Sequence, residues 1–233
     1  ASPIAVLAER RSLSEGEAYS VCVAMLVGSM DPVEVSAILM GLRVKGEDPG
    51  EVRGFIRALR DHAIRVRSRG AIDIVGTGGD GVNTIDASTL ASIVVASIGI
   101  PVAKHGNRGF SSLLGSADLM EALGYPIEHG AEVAEEMLDR EGFAYLYAPM
   151  YHRALRAVAP VRKKLGIRTI FNLAAPLANP ADPSIQVVGA PSLEIARILH
   201  GALMESGVEG YAVVTGYPGM DELSPSGPSH VSV

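Results

Sequence analysis

The sequence contains one cysteine, no tryptophan and few aromatic residues, which limits the disulfides and the kind of core that the chain can form. Because Cys22 is alone among 233 residues, no internal disulfide can form. Aromatic residues make up only 5% of the chain, so the core must be built mainly from Ala, Val, Leu and Ile. The longest apolar run, residues 90–103, is interrupted by Gly99 and Pro101 and is too short for a membrane-spanning helix.

Positive charge is also scarce. The chain has 20 Lys and Arg against 26 Asp and Glu, a net charge of −6 and a pI of about 5.5. This balance argues against a nucleic acid or an acidic membrane as partner, so any anion-binding site must be local. No segment resembles a signal peptide, and we expect a cytoplasmic location.

The N-terminal part carries three helix-start signatures, each with a Ser or Asp followed three residues later by Glu: Ser14-x-x-Glu17, Asp31-Pro32-x-Glu34 and Asp48-Pro49-x-Glu51. They predict helices over about 15–27, 32–44 and 49–64. From Ile72 onwards, short apolar runs at 72–75, 101–104, 143–148 and 211–215 alternate with helical segments. That alternation predicts a mainly parallel sheet with helices on both faces. We therefore expect a helical domain at residues 1–67 and an α/β domain at residues 68–233.

Two glycine-containing segments indicate a phosphate site. Gly76-Thr77-Gly78-Gly79-Asp80-Gly81 follows the strand-like run 71–75 and leads into a helix that opens near Ser88 and Thr89. Such a strand, turn and helix start directs backbone N–H groups towards an anion. The second segment, Lys104-His105-Gly106-Asn107-Arg108, adds two positive side chains. Together they predict a site for a ligand that carries several phosphates.

Two other phosphate motifs do not fit the first segment. The spacing Gly76-x-Gly78-x-x-Gly81 matches the dinucleotide fingerprint, but no acidic residue lies around 96–100, where the ribose ligand is expected. No Lys-Ser or Lys-Thr follows the glycines, so the P-loop pattern also fails. Taken alone, the first segment is equally consistent with an ordinary turn between a strand and a helix.

From about Leu13 to about Gly227, the chain resembles the anthranilate phosphoribosyltransferases. The resemblance rests on the two segments above and on several further motifs in the same order: Asn83-Thr84, Ser88-Thr89, Ser111-Ser112, Gly115-Ser116-Ala117-Asp118, Val161-Arg162 and residues 165–172. It implies transfer of the phosphoribosyl group of phosphoribosyl pyrophosphate to the amine of anthranilate, with release of pyrophosphate, in tryptophan biosynthesis. It also implies a small N-terminal helical domain and a larger α/β domain of the nucleoside phosphorylase and phosphoribosyltransferase type, with the active site in the cleft.

The resemblance further implies a role for individual residues. Phosphoribosyl pyrophosphate is expected at Gly76, Gly79, Asp80, Thr84, Asp86, Ser88, Thr89, Lys104 and Ser116. Anthranilate is expected at Gly76, His105, Asn107 and Arg162, with the guanidinium of Arg162 on its carboxylate. Mg²⁺ is expected at Ser88, Asp221 and Glu222, because hard oxygen donors suit that ion. No general base is expected: Lys104 and the loop amides would stabilise the departing pyrophosphate.

Three departures from the family pattern affect these expectations. Asp86 stands where relatives usually have Asn, and its carboxylate would repel a phosphate unless a metal screens it or it turns away. Ala175 replaces the usual Gly and Ala178 the usual Thr; if the backbone at 175 required a positive φ, the methyl would strain it. The chain ends at Val233, where relatives continue, so the family's C-terminal part is expected to be lacking. As in the family, we expect a homodimer through the N-terminal helices, and anthranilate synthase is a candidate partner.

Two other functions stay open at this point. A pyrimidine nucleoside phosphorylase would share the cleft and a phosphate-binding glycine loop, but should lack the segment 104–108 and the surroundings of Arg162. A non-catalytic relative that binds phosphoribosyl ligands or a partner subunit is consistent with Asp86 and Ala175. Loss of anthranilate fluorescence in the presence of phosphoribosyl pyrophosphate and magnesium separates these functions.

Overall fold

The computed structural model describes residues 2–79, 81–82, 85–109 and 114–233. Six strands form one sheet in the order β3-β2-β1-β4-β5-β6, in which only β6 is antiparallel to its neighbour. The strands are β1 (Ile72–Gly76), β2 (Val102–Gly106), β3 (Phe143–Tyr147), β4 (Ile185–Gly189), β5 (Gly210–Gly216) and β6 (Ser229–Ser232). The prediction of a mainly parallel sheet is confirmed. The sequence analysis did not predict β4 or β6.

The described residues also form eleven α-helices. Those before the sheet are α1 (Pro3–Ala8), α2 (Glu15–Leu26), α3 (Pro32–Lys45) and α4 (Pro49–Asp61). Those that follow are α5 (Ala87–Ser97), α6 (Ser116–Ala122), α7 (Ala131–Glu141), α8 (Ala148–Tyr151), α9 (Ala159–Leu165), α10 (Phe171–Leu177) and α11 (Leu193–Met204), with a 3-10 helix at Arg153–Ala157. None of the helices in the described part of the chain is long and apolar enough to cross a membrane.

The three predicted helix starts are confirmed. In α2, α3 and α4 the N-cap side chain accepts a backbone N–H of the first turn, and the Glu at the third helical position bonds back to the N-cap backbone. Helix α3 ends at Gly46, whose φ of 89° favours glycine. The only cysteine, Cys22, lies fully buried in α2, and burial raises the pKa of its thiol.

One of these capping residues also has a structural role deep in the helical part. Glu51 is completely buried and accepts the backbone N–H groups of Leu13 at 2.9 Å and Asp48 at 2.8 Å. Its carboxylate also pairs with the Lys45 ammonium at 3.0 Å, and that side chain is nearly buried as well. Glu51 therefore connects the chain before α2 to the turn between α3 and α4.

We expect Glu51→Ala to lower the free energy of unfolding by about 3–5 kcal/mol, because it leaves the Lys45 ammonium buried without its partner. Urea denaturation followed by circular dichroism measures the change. Glu34→Ala is the matched control: Glu34 holds the same capping position in α3 but is exposed, so its loss should cost about 1 kcal/mol. Equal losses for the two variants would show that the buried pair adds nothing.

The chain forms two compact units. The first contains the chain up to Ala63 together with His152–Ala178, and the second contains Ile64–Tyr151 and Asn179–Val233. The division predicted from the sequence, at 67/68, differs from these units because residues 152–178 return to the N-terminal helices. Helix α10 packs on α4, where the rings of Phe55 and Phe171 meet edge to face at 5.2 Å.

The second unit contains the sheet. Helix α5 packs on β1 and β2, α7 on β3 and α11 on β5. Beside α7 the core is mostly aliphatic, as expected from the composition, with Ala103, Ala144, Leu146 and the aromatic Tyr151 in one buried cluster.

The condition for strain at Ala175 is not met. Ala175 lies inside α10, and it is not among the residues with positive φ. Its methyl group therefore meets no backbone penalty. Ala178 follows as the C-cap with a φ of −96° and is fully buried.

Candidate functional site

The first glycine segment begins where the sheet changes direction. From β1 the chain proceeds outwards to β2 and β3, then returns to the other side of β1 to form β4 and β5. Ligands of open parallel sheets bind at the carboxyl ends of the strands at such a switch point. Here those ends are Gly76 of β1 and Gly189 of β4, which are register partners. Beyond them, Thr77 continues the pairing, because its N–H and hydroxyl both donate to the Gly189 carbonyl, at 3.0 and 2.9 Å.

Asp221 lies directly against this pair of glycines. Its Oδ2 accepts the backbone N–H of Gly78 at 2.7 Å. A methyl group at Gly76 would collide with the Asp221 carboxylate, and one at Gly189 with the Asp221 backbone carbonyl. The turn itself needs glycine, since φ is +65° at Gly78. The absence of side chains at both strand ends is therefore what lets Asp221 reach the turn.

On the other side of β1, the sheet is partly open. Strand β1 is in register with β4 at five positions but with β2 at a single position, Ile72 with Val102. Beyond that position, side chains bridge the two strands. The Asp73 Oδ1 accepts the His105 N–H at 3.2 Å, and the Lys104 Nζ donates to the Ile74 carbonyl at 2.7 Å.

Lys104 is buried rather than exposed at the strand end, with 1% of its surface accessible. Besides the Ile74 carbonyl, its Nζ contacts the Ser88 hydroxyl at 3.2 Å. Burial lowers the pKa of Lys104, and the charges of Asp73, Asp86 and Asp221 oppose that effect. To contact a phosphate directly, Lys104 would have to exchange one of its present bonds.

Asp86 caps α5. Its Oδ1 accepts the Thr89 N–H and the Ser88 hydroxyl, both at 3.0 Å, and its Oδ2 accepts the Thr89 hydroxyl at 2.7 Å. The carboxylate is therefore bound within the first turn of α5, next to Ser88. Helix α5 opens as expected beside Ser88 and Thr89, but Thr89 is fully buried and its hydroxyl is used in the cap.

Asp73 is a fully buried carboxyl group in the middle of a strand. Burial raises its pKa from 3.8 to about 6, against the opposing effects of the Lys104 charge and of hydrogen bonds. The folded chain therefore holds the proton more tightly than the unfolded chain does. As pH rises from about 4 to about 6, this difference in proton binding lowers the free energy of unfolding. Above pH 6 the free energy of unfolding stays lower by the full amount.

We expect Asp73→Asn to stabilise the fold at pH 8 by up to about 3 kcal/mol, because two pKa units correspond to roughly that energy. At pH 4 the carboxyl of the folded protein is already protonated, so the gain should vanish. Thermal melts of the parent chain and the variant at pH 4 and pH 8 measure this gain in stability. We expect the melting temperature of the variant to be several degrees higher than that of the parent chain at pH 8. A variant that melts lower at pH 8 would contradict this expectation.

The two positive side chains of the second glycine segment both have partners within the chain. The exposed Arg108 forms ion pairs with Asp118 at 2.8 Å and with Glu121 at 2.6 Å, both on α6. Its charge is therefore neutralised, and the charge of Lys104 lies beneath Ser88.

The remaining residues of this segment divide between surface and interior. Asn107 is exposed, and its carbonyl accepts the Ser116 hydroxyl at 3.3 Å; the same hydroxyl lies 2.8 Å from the Tyr145 hydroxyl. His105 is buried, with its N–H on Asp73. The structure thus brings Ser116 and Asn107 together and holds His105 as part of β2.

Arg162 lies in α9, in the first unit. Its guanidinium stacks over the Phe171 ring, with Cζ 5.2 Å from the ring centroid. Burial lowers its pKa, and no acidic side chain among the described residues pairs with it. A partly desolvated guanidinium without a counter-ion is suited to bind a carboxylate.

Family profiles and known proteins match nearly the whole chain, and they indicate the same family. The profile of the a/b domain of the glycosyl transferase family matches residues 68–233, and that of the family's helical bundle domain matches residues 3–63. The anthranilate phosphoribosyltransferase of Aeropyrum pernix is 52% identical over 227 residues, which cover 97% of this chain and 66% of that protein. That of Metallosphaera sedula is 45% identical over 226 residues, with the same coverage.

Solved structures give the same result. The anthranilate phosphoribosyltransferase of Thermus thermophilus superimposes with a TM-score of 0.90 at 41% identity, covering 100% of this chain and 73% of that one. The chain belongs to the anthranilate phosphoribosyltransferase family. The Saccharomyces cerevisiae member, solved in complex with PRPP and Mg, gives a TM-score of 0.91 at 29% identity over 99% of this chain and 69% of that one. The chain spans about two thirds of the length of the curated relatives it matches.

Two of the residues that the anthranilate phosphoribosyltransferase resemblance assigns to phosphoribosyl pyrophosphate, Asp80 and Thr84, lie outside the described residues. Asn83, Ser111 and Ser112, which contribute to the resemblance, also lie outside them.

The expected magnesium ligands can be tested for fit. Asp221 accepts the Gly78 N–H with one of its carboxylate oxygens, and Glu222 adds a second carboxylate next to it in the chain. The Ser88 hydroxyl donates to Asp86 and accepts from Lys104, which leaves one lone pair. The described ranges contain no group of three or more His, Cys, Asp or Glu side chains that could hold a metal alone. The residues therefore fit an ion that takes its other ligands from water and phosphate.

The sequence analysis missed Asp73, Thr77 and Gly189 as residues of the site. Each left a signal. An acidic residue within the apolar run 71–75 is unusual unless it is paired. Gly189 ends the short apolar run 185–189 and precedes Ala-Pro, as expected for a strand end that needs room above it.

Proposed function

We propose that the chain transfers the phosphoribosyl group of phosphoribosyl pyrophosphate to the amine of anthranilate and releases pyrophosphate. One observation carries the proposal: the turn at Gly76–Gly78 lies at the switch point of a parallel sheet, and Asp221 is seated on it. Family membership supplies the choice of substrates.

The second unit holds the groups that would bind the phosphoribosyl pyrophosphate. Gly76 and Gly79 offer backbone close to the ligand without a side chain in the way, and Ser88 offers a hydroxyl at the first turn of α5. Lys104, placed behind Ser88, contributes positive charge through that hydroxyl. These donors are fixed before the ligand arrives, so they can stabilise the negative charge that grows as pyrophosphate leaves.

Anthranilate, which accepts the phosphoribosyl group, needs to be oriented more than it needs to be activated. The amine of anthranilate carries a free lone pair, so no strong base has to remove a proton before attack. Arg162 would bind the carboxylate through its guanidinium, and the exposed Asn107 would contact the ring. Orientation of this kind can account for a large part of the rate increase.

Magnesium is the cofactor we propose, held by Asp221 and Glu222 with help from Ser88. When bound, it supplies positive charge to the pyrophosphate oxygens. Asp221 then has two tasks in this chain, since one of its oxygens also orients the Gly78 N–H.

The test follows anthranilate fluorescence in the presence of phosphoribosyl pyrophosphate and magnesium. The expected result is a loss of fluorescence that needs all three components and yields pyrophosphate in equal amount. Phosphorolysis of uridine or thymidine, measured in parallel, detects a nucleoside phosphorylase instead. Binding of phosphoribosyl pyrophosphate without turnover would identify a non-catalytic relative and contradict the proposal.

The homodimer through the N-terminal helices, the anthranilate synthase partner and the cytoplasmic location stay predictions. Light scattering tests the first of them. A homodimer should give a mass of about twice 24.3 kDa, and a mass near 24.3 kDa would contradict it.

A further inference from the structure

Tyr145 is a buried tyrosine of β3 whose ring is held firmly in place. It is completely inaccessible to solvent, and its ring lies in an apolar cluster with Ala117, Met120 and Ile127. Its backbone N–H donates to the Tyr125 hydroxyl at 3.0 Å. Because packing fixes the ring, the Tyr145 hydroxyl has a fixed position, and a buried hydroxyl needs a hydrogen-bond partner there.

The partner of this hydroxyl is Ser116, one of the residues expected to bind phosphoribosyl pyrophosphate. The two hydroxyl oxygens lie 2.8 Å apart. Gly106, at the end of β2, leaves room for them, since a methyl group there would collide with both oxygens. Gly106 is not among the glycines with positive φ, so its backbone does not require glycine. The missing side chain at Gly106 is therefore what allows Tyr145 to reach Ser116.

The direction of this hydrogen bond follows from the second partner of Ser116. A serine hydroxyl has one proton to donate and two lone pairs that accept. The Ser116 hydroxyl donates to the Asn107 carbonyl at 3.3 Å. Because its single proton is used there, Tyr145 is the donor in the bond of 2.8 Å. Tyr145 thus occupies one lone pair of Ser116 and leaves the Ser116 proton to other acceptors.

The Ser116 proton can pass from Asn107 to a ligand at little cost. Its present bond of 3.3 Å is longer than a usual hydrogen bond between two oxygens. The Asn107 carbonyl also accepts the Ala117 N–H at 3.2 Å, so it keeps a partner when the Ser116 proton leaves. Ser116 itself is only half-buried. Ionised phosphate oxygens accept hydrogen bonds, so a hydroxyl with an available proton suits them.

We propose that Tyr145 is a positioning residue for phosphoribosyl pyrophosphate: its hydroxyl holds Ser116 and directs the Ser116 proton to a phosphate oxygen of the ligand. The phosphate oxygen replaces the Asn107 carbonyl as acceptor. The bond from Tyr145 makes Ser116 a stronger donor, because hydrogen bonds in a chain polarise one another. Tyr145 acts through Ser116 and does not touch the ligand. The ligand rests on the proposed function, whereas the bond between the two hydroxyls does not.

The first experiment measures the exchange of tyrosine hydroxyl protons with solvent, without ligand, by NMR of the chain isotope-labelled at tyrosine Cζ. In Ser116→Ala the Tyr145 hydroxyl loses its acceptor, so its proton should exchange about tenfold faster than in the parent chain. The Tyr151 hydroxyl is the control in the same spectrum. It is equally buried but lies against His129, so its exchange should not change. Equal exchange at Tyr145 in the two proteins would overturn the inference.

The second experiment measures the affinity for phosphoribosyl pyrophosphate with Mg²⁺ by calorimetry. Tyr145→Phe should weaken binding about tenfold, because Ser116 is no longer held. In the Ser116→Ala background the same change should have no further effect, since Tyr145 acts only through that hydroxyl. Tyr151→Phe, the matched control, removes a buried hydroxyl that lies against His129 and should bind like the parent chain. Losses that add in the double variant would overturn the route through Ser116.

Steady-state kinetics distinguishes positioning from a general packing defect. Tyr145→Phe should raise the KM for phosphoribosyl pyrophosphate about tenfold and leave the KM for anthranilate unchanged. Thermal melts of the same variant show whether it remains folded. An equal rise in both KM values would contradict the positioning role.

These measurements separate the inference from the proposed function. If the parent chain fails to bind phosphoribosyl pyrophosphate, the function fails, and hydroxyl exchange still decides whether Tyr145 is bonded to Ser116. If the parent chain binds and turns over substrate while Tyr145→Phe matches it in affinity, the function stands and the inference is overturned.

Discussion

Gly189→Ala is expected to lower kcat/KM for phosphoribosyl pyrophosphate by at least about a hundredfold. The added methyl group would occupy the position of the Asp221 backbone carbonyl, so the segment at 221 must move away from the end of β4. Gly78 then loses the acceptor that orients its N–H. Because a misplacement of about 1 Å can reduce activity by about a hundredfold, we expect at least that loss in kcat/KM.

Gly210→Ala provides the matched control for this prediction. Gly210 also lies in a parallel strand, but a methyl there would meet Ile185 at 3.5 Å, an ordinary contact distance. This variant should bind and turn over substrate like the parent chain, and thermal melts show whether both variants remain folded. Normal affinity in a folded Gly189→Ala variant would falsify the role assigned to Asp221, which lies against Gly189 and accepts the Gly78 N–H.

Arg162→Ala is expected to raise the KM for anthranilate about a hundredfold, since loss of a charge-assisted pair with a carboxylate costs about 2–5 kcal/mol. The KM for phosphoribosyl pyrophosphate should change little. Steady-state kinetics with each substrate varied in turn separates the two effects. Arg162→Lys should recover only part of the affinity, because an ammonium cannot form the two parallel bonds of a guanidinium.

Two controls identify the carboxylate as the group that Arg162 recognises. Lys163→Ala removes the neighbouring positive charge of α9, which is exposed, and should leave the KM for anthranilate unchanged. With aniline, which has no carboxylate, the parent chain and Arg162→Ala should react equally slowly. A loss of the same size with aniline as with anthranilate would instead indicate a packing defect at Phe171.

Local signals in the sequence were sufficient to predict α2, α3 and α4. The Ser14, Asp31 and Asp48 caps depend only on residues within one turn, and all three form as predicted. The return of residues 152–178 to these helices could not be predicted, because it depends on packing between distant segments, such as Phe55 with Phe171. No local pattern carries that information.

The same distinction applies to the site. The motif indicated Gly76 and Ser88, and the structure places them at the strand end and at the first turn of α5. It did not show that Lys104 would be buried or that Arg108 would be neutralised by Asp118 and Glu121. The charge that a side chain presents depends on its neighbours in space, and these come from α5 and α6.

The burial of Cys22 makes the chain convenient for spectroscopy. A thiol that is inaccessible and held protonated reacts slowly with maleimides, so the parent chain should give almost no labelling background. A cysteine introduced at Ile85, which is 71% exposed beside the cap of α5, would then carry a single fluorophore. Its emission would report ligand arrival at the neighbouring turn in real time.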